Sequence, residues 1–167
     1  ARRAALLLHG KNFSGAYWEP TIRSLTEAGY RVIAPDQIGF GKSSKPERYQ
    51  YSSAALADNT RALLDSLNVA STAVVGHSMG GMLAVRYALA FGDRVTKLVL
   101  VNPIGLEDYA AVAPYRSIDE TYRRELELTP EKIRRYQAEN YFGGDWKPEY
   151  DPLIRLASGF TRHPEYA

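Results

Sequence analysis

Short apolar runs alternate with longer amphipathic segments through the first hundred positions of the chain. Four of these runs are typical of strands because they are brief, rich in apolar or β-branched residues and bounded by turn residues. They are 4–8, 30–34, 73–75 and 95–101. Between them, apolar positions three or four residues apart predict three helices, at 18–28, from Ser52 or Ser53 to Leu67, and at 80–91. Gly29 and Gly92 stand where the first and third helices end.

This alternation of strands and helices predicts an α/β fold, with a parallel sheet of about four strands flanked by helices. Ligands of such sheets bind beyond the carboxyl ends of the strands. A polar residue follows each predicted strand at that end: His9, Asp36, Ser78 and Asn102. We therefore expect these four side chains to lie along one edge of the sheet.

The alternation stops after Asn102. Residues 103–167 contain no clear strand and several helical patterns, among them a helix that begins at Thr129-Pro130-Glu131 and runs through Gln137. Seven of the twelve tyrosines fall in this part of the chain. The sequence thus predicts a core over residues 1–102 and a helical cap segment over residues 103–167 that covers the strand ends.

Composition limits the classes of function. The 167 residues are enough for a substantial core, and 45% hydrophobic with 24% charged residues is ordinary for a globular protein. The net charge of +2 divides unevenly, because residues 1–102 hold 12 basic and 7 acidic residues. No dense basic stripe indicates a nucleic-acid partner, and no apolar run is long enough to span a bilayer. The chain has no cysteine, and the sequence leaves both cytoplasm and periplasm open.

The most informative motif is Gly76-His77-Ser78-Met79-Gly80-Gly81, which lies between a predicted strand and a predicted helix. It matches the pattern G-x-S-x-G. This pattern is informative when it lies on a sharp strand-to-helix turn, because such a turn exposes the serine hydroxyl. Small residues around the serine allow the strand and the helix to approach closely. The Met79 N–H lies at the helix N-terminus, where unpaired donors favour negative charge. The motif predicts a nucleophile beside half of an oxyanion site.

Three segments of the chain together resemble the α/β-hydrolase fold superfamily. They are Leu8-His9-Gly10 with the following residues 11–15, Val32-Ile33-Ala34-Pro35-Asp36 leading to 39–44, and the serine motif at 76–81. The order and spacing of these segments match the family, and the likeness covers residues 4–102. It implies that the four strands correspond to the third to sixth strands of the family's sheet. It also implies that the cap is inserted after the sixth strand.

The resemblance assigns roles to several residues. It implies that Ser78 is the nucleophile and that the backbone N–H groups of Met79 and Lys11 hold the oxyanion. Each such donor contributes on the order of 3 kcal/mol. Asn12 or Phe13 replaces Lys11 if the loop is offset. The likeness implies structural roles for His9, which shapes this loop, and for Asp36, which occupies a turn.

The acid and the base of a serine triad are harder to place. In this family they follow the serine in the order acid, then histidine, after two further strands. We therefore expect the chain to be an internal fragment that does not hydrolyse substrate alone. Asp108 is a less favoured candidate acid, next to Glu107 and just after the fourth strand. His163 is a less favoured candidate base, and His77 occupies the variable position of the motif.

These observations favour a serine hydrolase of small acyl compounds, most simply carboxylic esters, that forms an acyl-enzyme. The serine at the elbow argues against family members that use a carboxylate there. Three alternatives stay open: a C–C bond hydrolase, a cofactor-free perhydrolase, and a non-catalytic binding protein of the same fold. No cofactor or metal is expected. Gly41-Lys42-Ser43 is not a phosphate-binding loop, because that motif needs glycine where the chain has Asp36.

Overall fold

The computed structural model of the chain describes residues 3–162. Its first part alternates strands and helices as the sequence predicts. The elements are β1 (Ala4–Leu8), α1 (Glu19–Glu27), β2 (Arg31–Ile33), α2 (Ser53–Ser66), β3 (Thr72–His77), α3 (Met79–Ala90) and β4 (Val95–Val101). A 3₁₀ turn, Gly15–Trp18, precedes α1, and a second one, Gly92–Arg94, precedes β4. The predicted α/β class is confirmed.

The four strands form one parallel sheet in the order β2-β1-β3-β4. The register aligns Leu6 of β1 with Ile33 of β2 on one side and with Val74 of β3 on the other. β3 is longer than predicted because its pairing with β4 continues to His77, opposite Val101. The carboxyl ends of β1 and β3 therefore lie side by side, which brings His9 and Ser78 to the same edge.

The core lies around β1 and the helices α2 and α3. All five residues of β1 are buried, and Leu6 and Leu7 are 0% exposed. Leu6 belongs to a cluster with Leu56 and Leu64 of α2 and Leu83 of α3. β1 is covered on both faces, as expected for a central strand of a parallel sheet. The loop that follows β1 therefore begins from a fully buried strand.

The ends of the helices follow the capping signals in the sequence. Ser52, the first of two predicted caps, accepts a hydrogen bond from the Ala55 N–H at 3.1 Å. Thr129 likewise accepts from the Lys132 N–H at 3.3 Å. Gly29 has φ of 84° after α1, a conformation that disfavours side chains. The helix after Thr129 extends four residues further than Gln137, to Tyr141.

Residues after β4 are helical in the part that the structure describes. The elements are α4 (Tyr109–Val112), α5 (Ile118–Leu126), α6 (Pro130–Tyr141), a 3₁₀ turn (Pro148–Tyr150) and α7 (Asp151–Phe160). The chain divides into two compact units, Ala1–Tyr109 and Ala110–Ala167. We call the second one the C-terminal unit. The division falls seven residues after Asn102, and the role of the C-terminal unit as a cap stays a prediction. No helix within residues 3–162 has the length and apolarity to cross a membrane.

Candidate functional site

Ser78 has the backbone conformation that a nucleophile elbow requires. It has φ of 55° and ψ of −119° and lies directly between β3 and α3. A non-glycine residue there stores on the order of 1–3 kcal/mol of strain. The surrounding backbone holds it in place, because its N–H donates to the Val101 carbonyl at 3.1 Å. Its own carbonyl accepts a hydrogen bond from the Ile104 N–H at 3.2 Å. The N–H and the carbonyl of Ser78 are therefore both bonded to the segment at the end of β4.

The glycines of the motif allow this turn because no side chain fits there. A Cβ on Gly76 would lie 2.2 Å from the Gly80 carbonyl oxygen, and one on Gly80 would lie 2.1 Å from the Leu8 carbonyl oxygen. A Cβ on Gly81 would lie 2.7 Å from the Pro103 side chain. Real Cβ contacts are never so short, and two of these neighbours are backbone. The close packing of α3 on β1 and β3 therefore depends on glycine at these positions.

The loop after β1 lies against the serine. A Cβ on Gly10 would lie 3.0 Å from the Ser78 Cβ, so the Gly10 backbone passes close to the Ser78 side chain. Lys11 and Asn12 follow at once, and Asn12 has φ of 62°. The Phe13 N–H already donates to the Gly10 carbonyl at 3.2 Å, which argues against Phe13 as an oxyanion donor. The structure thus brings the predicted loop to Ser78, as a donor site requires.

Met79 supplies the other predicted donor. It is the first residue of α3, and the N–H groups of the first helical turn have no acceptor within the helix. The Ser78 carbonyl accepts from the N–H groups of Gly81 and Met82, which come later in that turn. The partial positive charge of the helix N-terminus is directed to the same place. This arrangement suits a developing negative charge next to Ser78.

His9 links the loops that follow β1 and β2. It is buried, and its Nε2 accepts a hydrogen bond from the Gln37 N–H at 2.9 Å. Its Nδ1 lies 2.8 Å from the Gly10 carbonyl oxygen, which fits a neutral ring with the proton on Nδ1. Burial lowers the pKa of His9 below 6.5, against weaker opposing contributions from the Gly10 carbonyl and the Asp36 carboxylate. His9 therefore shapes the loop, as the resemblance implies.

Asp36 fastens two loops to each other. Its carboxylate accepts from the Gly15 N–H at 2.7 Å and from the Lys42 N–H at 2.7 Å, while its carbonyl accepts from the Ser43 hydroxyl. A Cβ on Gly41 would lie 2.2 Å from Asp36 Oδ2, so the loop folds tightly over the carboxylate. Asp36 thus takes the structural turn role that the sequence predicts.

His77 is the last residue of β3 and precedes Ser78 in the elbow. It is half-buried, and its ring contacts the Phe13 ring edge to face at a centroid distance of 5.5 Å. Burial lowers the pKa of His77 below its ordinary value. The Phe13 ring contacts Tyr17 in the same way at 4.6 Å. These aromatic contacts stabilise the loop beside Ser78.

The candidates for the acid and the base stay predictions. Asp108 is exposed in the segment between β4 and α4, as is Glu107. His163 lies outside the described residues. Within residues 3–162, no group of three or more acidic or imidazole side chains is arranged to hold a metal ion. The site that the structure assembles therefore consists of Ser78, Met79 and the loop that begins at Gly10.

Sequence reasoning missed the partners that hold the site together. His9 and Gln37 are 28 positions apart, and Gly15 and Asp36 are 21 positions apart. The one available signal was that His9 and Asp36 both come shortly after a strand of the same parallel sheet. That signal indicates a common edge, but it does not indicate which atoms meet.

Comparison with known families and structures gives a consistent result. A family model described as "alpha/beta hydrolase fold" matches residues 5–143. A solved structure of a probable hydrolytic enzyme from Pseudomonas aeruginosa PAO1 is 55% identical with a TM-score of 0.93, over 98% of this chain and 53% of that one. A meta-cleavage product hydrolase from Pseudomonas fluorescens IP01 is 28% identical with a TM-score of 0.70, over 98% and 58% of the two chains.

A curated relative extends the comparison. The protein named "Putative carbamate hydrolase RutD" of Variovorax paradoxus is 40% identical over 99 residues, which are 59% of this chain and 37% of that protein. The chain spans about half the length of the solved structures that it matches, and the match to this curated relative covers less.

Proposed function

Because the chain belongs to the alpha/beta hydrolase fold family, we propose that it supplies the nucleophile and oxyanion donors of a serine hydrolase of carboxylic esters. The observation that carries this proposal is the conformation of Ser78, which has φ of 55° and a side chain close to the backbone of Gly10. Backbone strain at a position between a strand and a helix is typical of functional sites. The family relationship and the strained serine support the same chemistry.

In the proposed reaction, a general base takes the hydroxyl proton of Ser78 while Oγ attacks the carbonyl carbon of the ester. The carbonyl oxygen becomes an oxyanion, and the N–H groups of Met79 and Lys11 hold it. The bond to the alcohol oxygen breaks, the protonated base gives its proton to the leaving alcohol, and the acyl group stays on Ser78. The same base then takes a proton from the water that attacks the acyl-enzyme and returns it to Ser78 as the carboxylic acid departs. Preorganised donors that face the developing charge lower the barrier without reorganisation.

We propose that the base lies outside the described residues. His9 is unsuited to the role, because both of its ring nitrogens are engaged by backbone groups and its pKa is lowered by burial. By the order of the family, the acid and the histidine follow two further strands.

The names of the relatives do not decide which compound Ser78 attacks. One is named a carbamate hydrolase, and one is a meta-cleavage product hydrolase, which acts on a different bond. We propose an ester as the substrate because it is the simplest acyl compound that a serine nucleophile with two backbone donors attacks once an acid and a base complete the triad. The carbamate and the C–C substrate are the alternatives.

Kinetics with the full-length protein test the proposal. The substrates are p-nitrophenyl butyrate, a p-nitrophenyl carbamate and a meta-cleavage product, measured for Ser78→Ala and for the control Ser71→Ala. Ser71 is exposed at the start of the segment before β3. We expect turnover of the butyrate and a fall in kcat/KM of at least about 10³-fold in Ser78→Ala alone. Unchanged kcat/KM in Ser78→Ala contradicts the nucleophile. Turnover of only the carbamate or the meta-cleavage product contradicts an ester as the substrate. A lack of turnover of all three compounds favours the alternative of a non-catalytic binding protein.

A further inference from the structure

A groove of about 500 Å³ lies between α6 and α7, entirely within the C-terminal unit. α7 contributes residues at helical spacing, so its lining residues share one face of the helix. The residues that line the groove are Pro130, Arg134, Asp151, Ile154, Arg155, Ser158, Thr161 and Arg162. Its volume is within the range of small-molecule sites in proteins.

The charge of the groove is positive although the segment around it is acidic. Residues 103–167 hold 9 basic and 12 acidic residues, yet three of the lining residues are arginines and one is an aspartate. Arg134 pairs with Asp151 at 3.5 Å, and the Trp146 N–H donates to the same carboxylate at 2.9 Å. Among residues 3–162, Arg155 and Arg162 have no carboxylate partner. Two positive charges are therefore left uncompensated.

Besides the two arginines, the hydroxyl of Ser158 is an independent feature of the groove. It lies on the groove face of α7, is only 7% exposed, and its hydroxyl has no hydrogen-bond partner among the described residues. A buried polar group without a partner is unfavourable and uncommon, and it calls for an explanation such as a missing ligand. A serine inside a helix commonly bonds to the carbonyl four residues earlier, and Ser158 does not.

The lining also contains two apolar residues, beside Thr161. Ile154 is buried in the groove, one turn of helix from Ser158, and Pro130 lies at the start of α6. An occupant that matches the groove thus combines an anionic group with an apolar part. Two uncompensated arginines match a dianion better than a single carboxylate, because guanidinium groups bind phosphate oxygens in a planar, bidentate way.

We propose that this groove binds the phosphate group of an organic phosphate, with Arg155 and Arg162 pairing with its oxygens and the Ser158 hydroxyl donating a hydrogen bond. The apolar substituent lies on Ile154 and Pro130. The phosphate belongs either to a soluble phosphomonoester or to a lipid headgroup. Every residue that lines the groove belongs to the C-terminal unit, and the proposal does not depend on the catalytic role of Ser78.

Calorimetric titration of the full-length protein with phenyl phosphate tests the soluble source, with benzoate as the singly charged comparison. We expect phenyl phosphate to bind at least tenfold more tightly than benzoate. Arg155→Gln and Arg162→Gln each weaken binding about tenfold or more, because each removes a charge-assisted contact. The matched control is Arg135→Gln, an exposed arginine of α6 that does not line the groove. Equal affinity in all three variants overturns the proposal.

Ser158→Ala distinguishes a ligand contact from a structural role. We expect weaker binding of phenyl phosphate by several-fold and an unchanged or higher Tm, since the change removes an unpartnered hydroxyl. A lower Tm with unchanged affinity overturns the role of Ser158. Ser78→Ala should bind phenyl phosphate as tightly as the wild type, so this test fails or succeeds independently of the proposed hydrolase activity.

Co-sedimentation with phosphatidylcholine vesicles, with and without phosphatidic acid, tests the lipid source. Binding that requires phosphatidic acid and is lost in Arg155→Gln supports a lipid headgroup as the source of the phosphate. Binding of phenyl phosphate without vesicle binding supports a soluble phosphomonoester. Failure of both probes to bind overturns the proposal.

Discussion

β1 and β4 have comparable apolar content but opposite surroundings. β1, at the centre of the sheet, buries all five residues. β4, at the edge, has an exposed side chain at six of its seven positions, including Leu98 at 41% and Val99 at 45%. β1 has a strand on each side and packs in a cluster with α2 and α3, whereas β4 pairs with β3 alone among the described strands. The loop that follows the buried strand β1 is the one that lies close to Ser78.

The two strands show that an apolar run in the sequence does not by itself determine how buried a strand is. It indicates that a segment is able to form a buried strand, but its burial depends on which elements lie beside it. The candidate site lies at the end of the buried strand β1, where the backbone contacts are closest. Changes near β1 should therefore be costly, whereas equivalent changes near β4 should be mild. The following predictions apply to the 167-residue chain.

The largest expected effect is at the contact between α3 and the end of β1. Gly80→Ala places a Cβ 2.1 Å from the Leu8 carbonyl oxygen, and neither backbone is able to yield. We expect a loss of about 4 kcal/mol or more in the free energy of unfolding, a large part of the stability of an ordinary domain. Urea denaturation followed by circular dichroism measures it.

The control for Gly80→Ala is Gly92→Ala, just before β4. A Cβ on Gly92 meets nothing within 4 Å, and its φ is not in the left-handed region. We expect a change within about 0.5 kcal/mol. Similar losses in both variants would show that the close packing at Gly80 is not what the fold depends on.

The next effect compares a buried leucine of β1 with an exposed leucine of β4. Leu7→Ala removes a side chain that is 0% exposed, and we expect a loss of about 2–5 kcal/mol. Leu98→Ala removes one that is 41% exposed, and we expect less than about 1 kcal/mol. Denaturation midpoints at a constant m value give both numbers. A loss in Leu98→Ala equal to that in Leu7→Ala would remove the distinction between centre and edge.

The smallest effect is a pH dependence that originates at the end of β1. The pKa of His9 is lowered in the folded chain, so the unfolded chain takes up a proton first as the pH falls. The stability that His9 contributes is complete above about pH 6.5 and declines below it, with a slope of at most about 1.4 kcal/mol per pH unit. His77, whose pKa is also lowered, adds a contribution in the same direction.

His9→Gln should reduce this dependence while retaining an oxygen that is able to accept from Gln37. The free energy of unfolding, measured between pH 5 and pH 8, should fall less steeply on the acid side in His9→Gln than in the wild type. The control is Asp58→Asn, an exposed carboxylate of α2, which should keep the wild-type slope. An unchanged slope in His9→Gln would show that His9 is not buried as a neutral ring.

Local features of the site could be predicted from the sequence, because their causes lie within a few residues. The elbow at Ser78 follows from glycines at 76, 80 and 81 between a strand and a helix. The helix after Thr129 follows from a capping residue and a proline. The parallel sheet follows from the alternation of elements, since few arrangements of such units exist.

Features that depend on distant partners could not be predicted in detail. The exposure of β4 depends on the sheet order, and the His9–Gln37 bond depends on the exact register of two loops. The groove that contains Ser158 requires α6 and α7 to pack, which brings Arg134 beside Asp151 from 17 positions away. Helical periodicity indicates a buried face but not the polar atoms that meet across it.

The most direct test of the central claim is labelling of Ser78 by a fluorophosphonate probe in the full-length protein. Peptide mass spectrometry then locates the adduct, with Ser78→Ala and Ser71→Ala as the matched pair. We predict one adduct, on the peptide that contains Ser78, which is lost in Ser78→Ala and retained in Ser71→Ala. Absence of an adduct on the wild-type peptide, or an adduct on another serine that persists in Ser78→Ala, would contradict the assignment of Ser78 as the nucleophile.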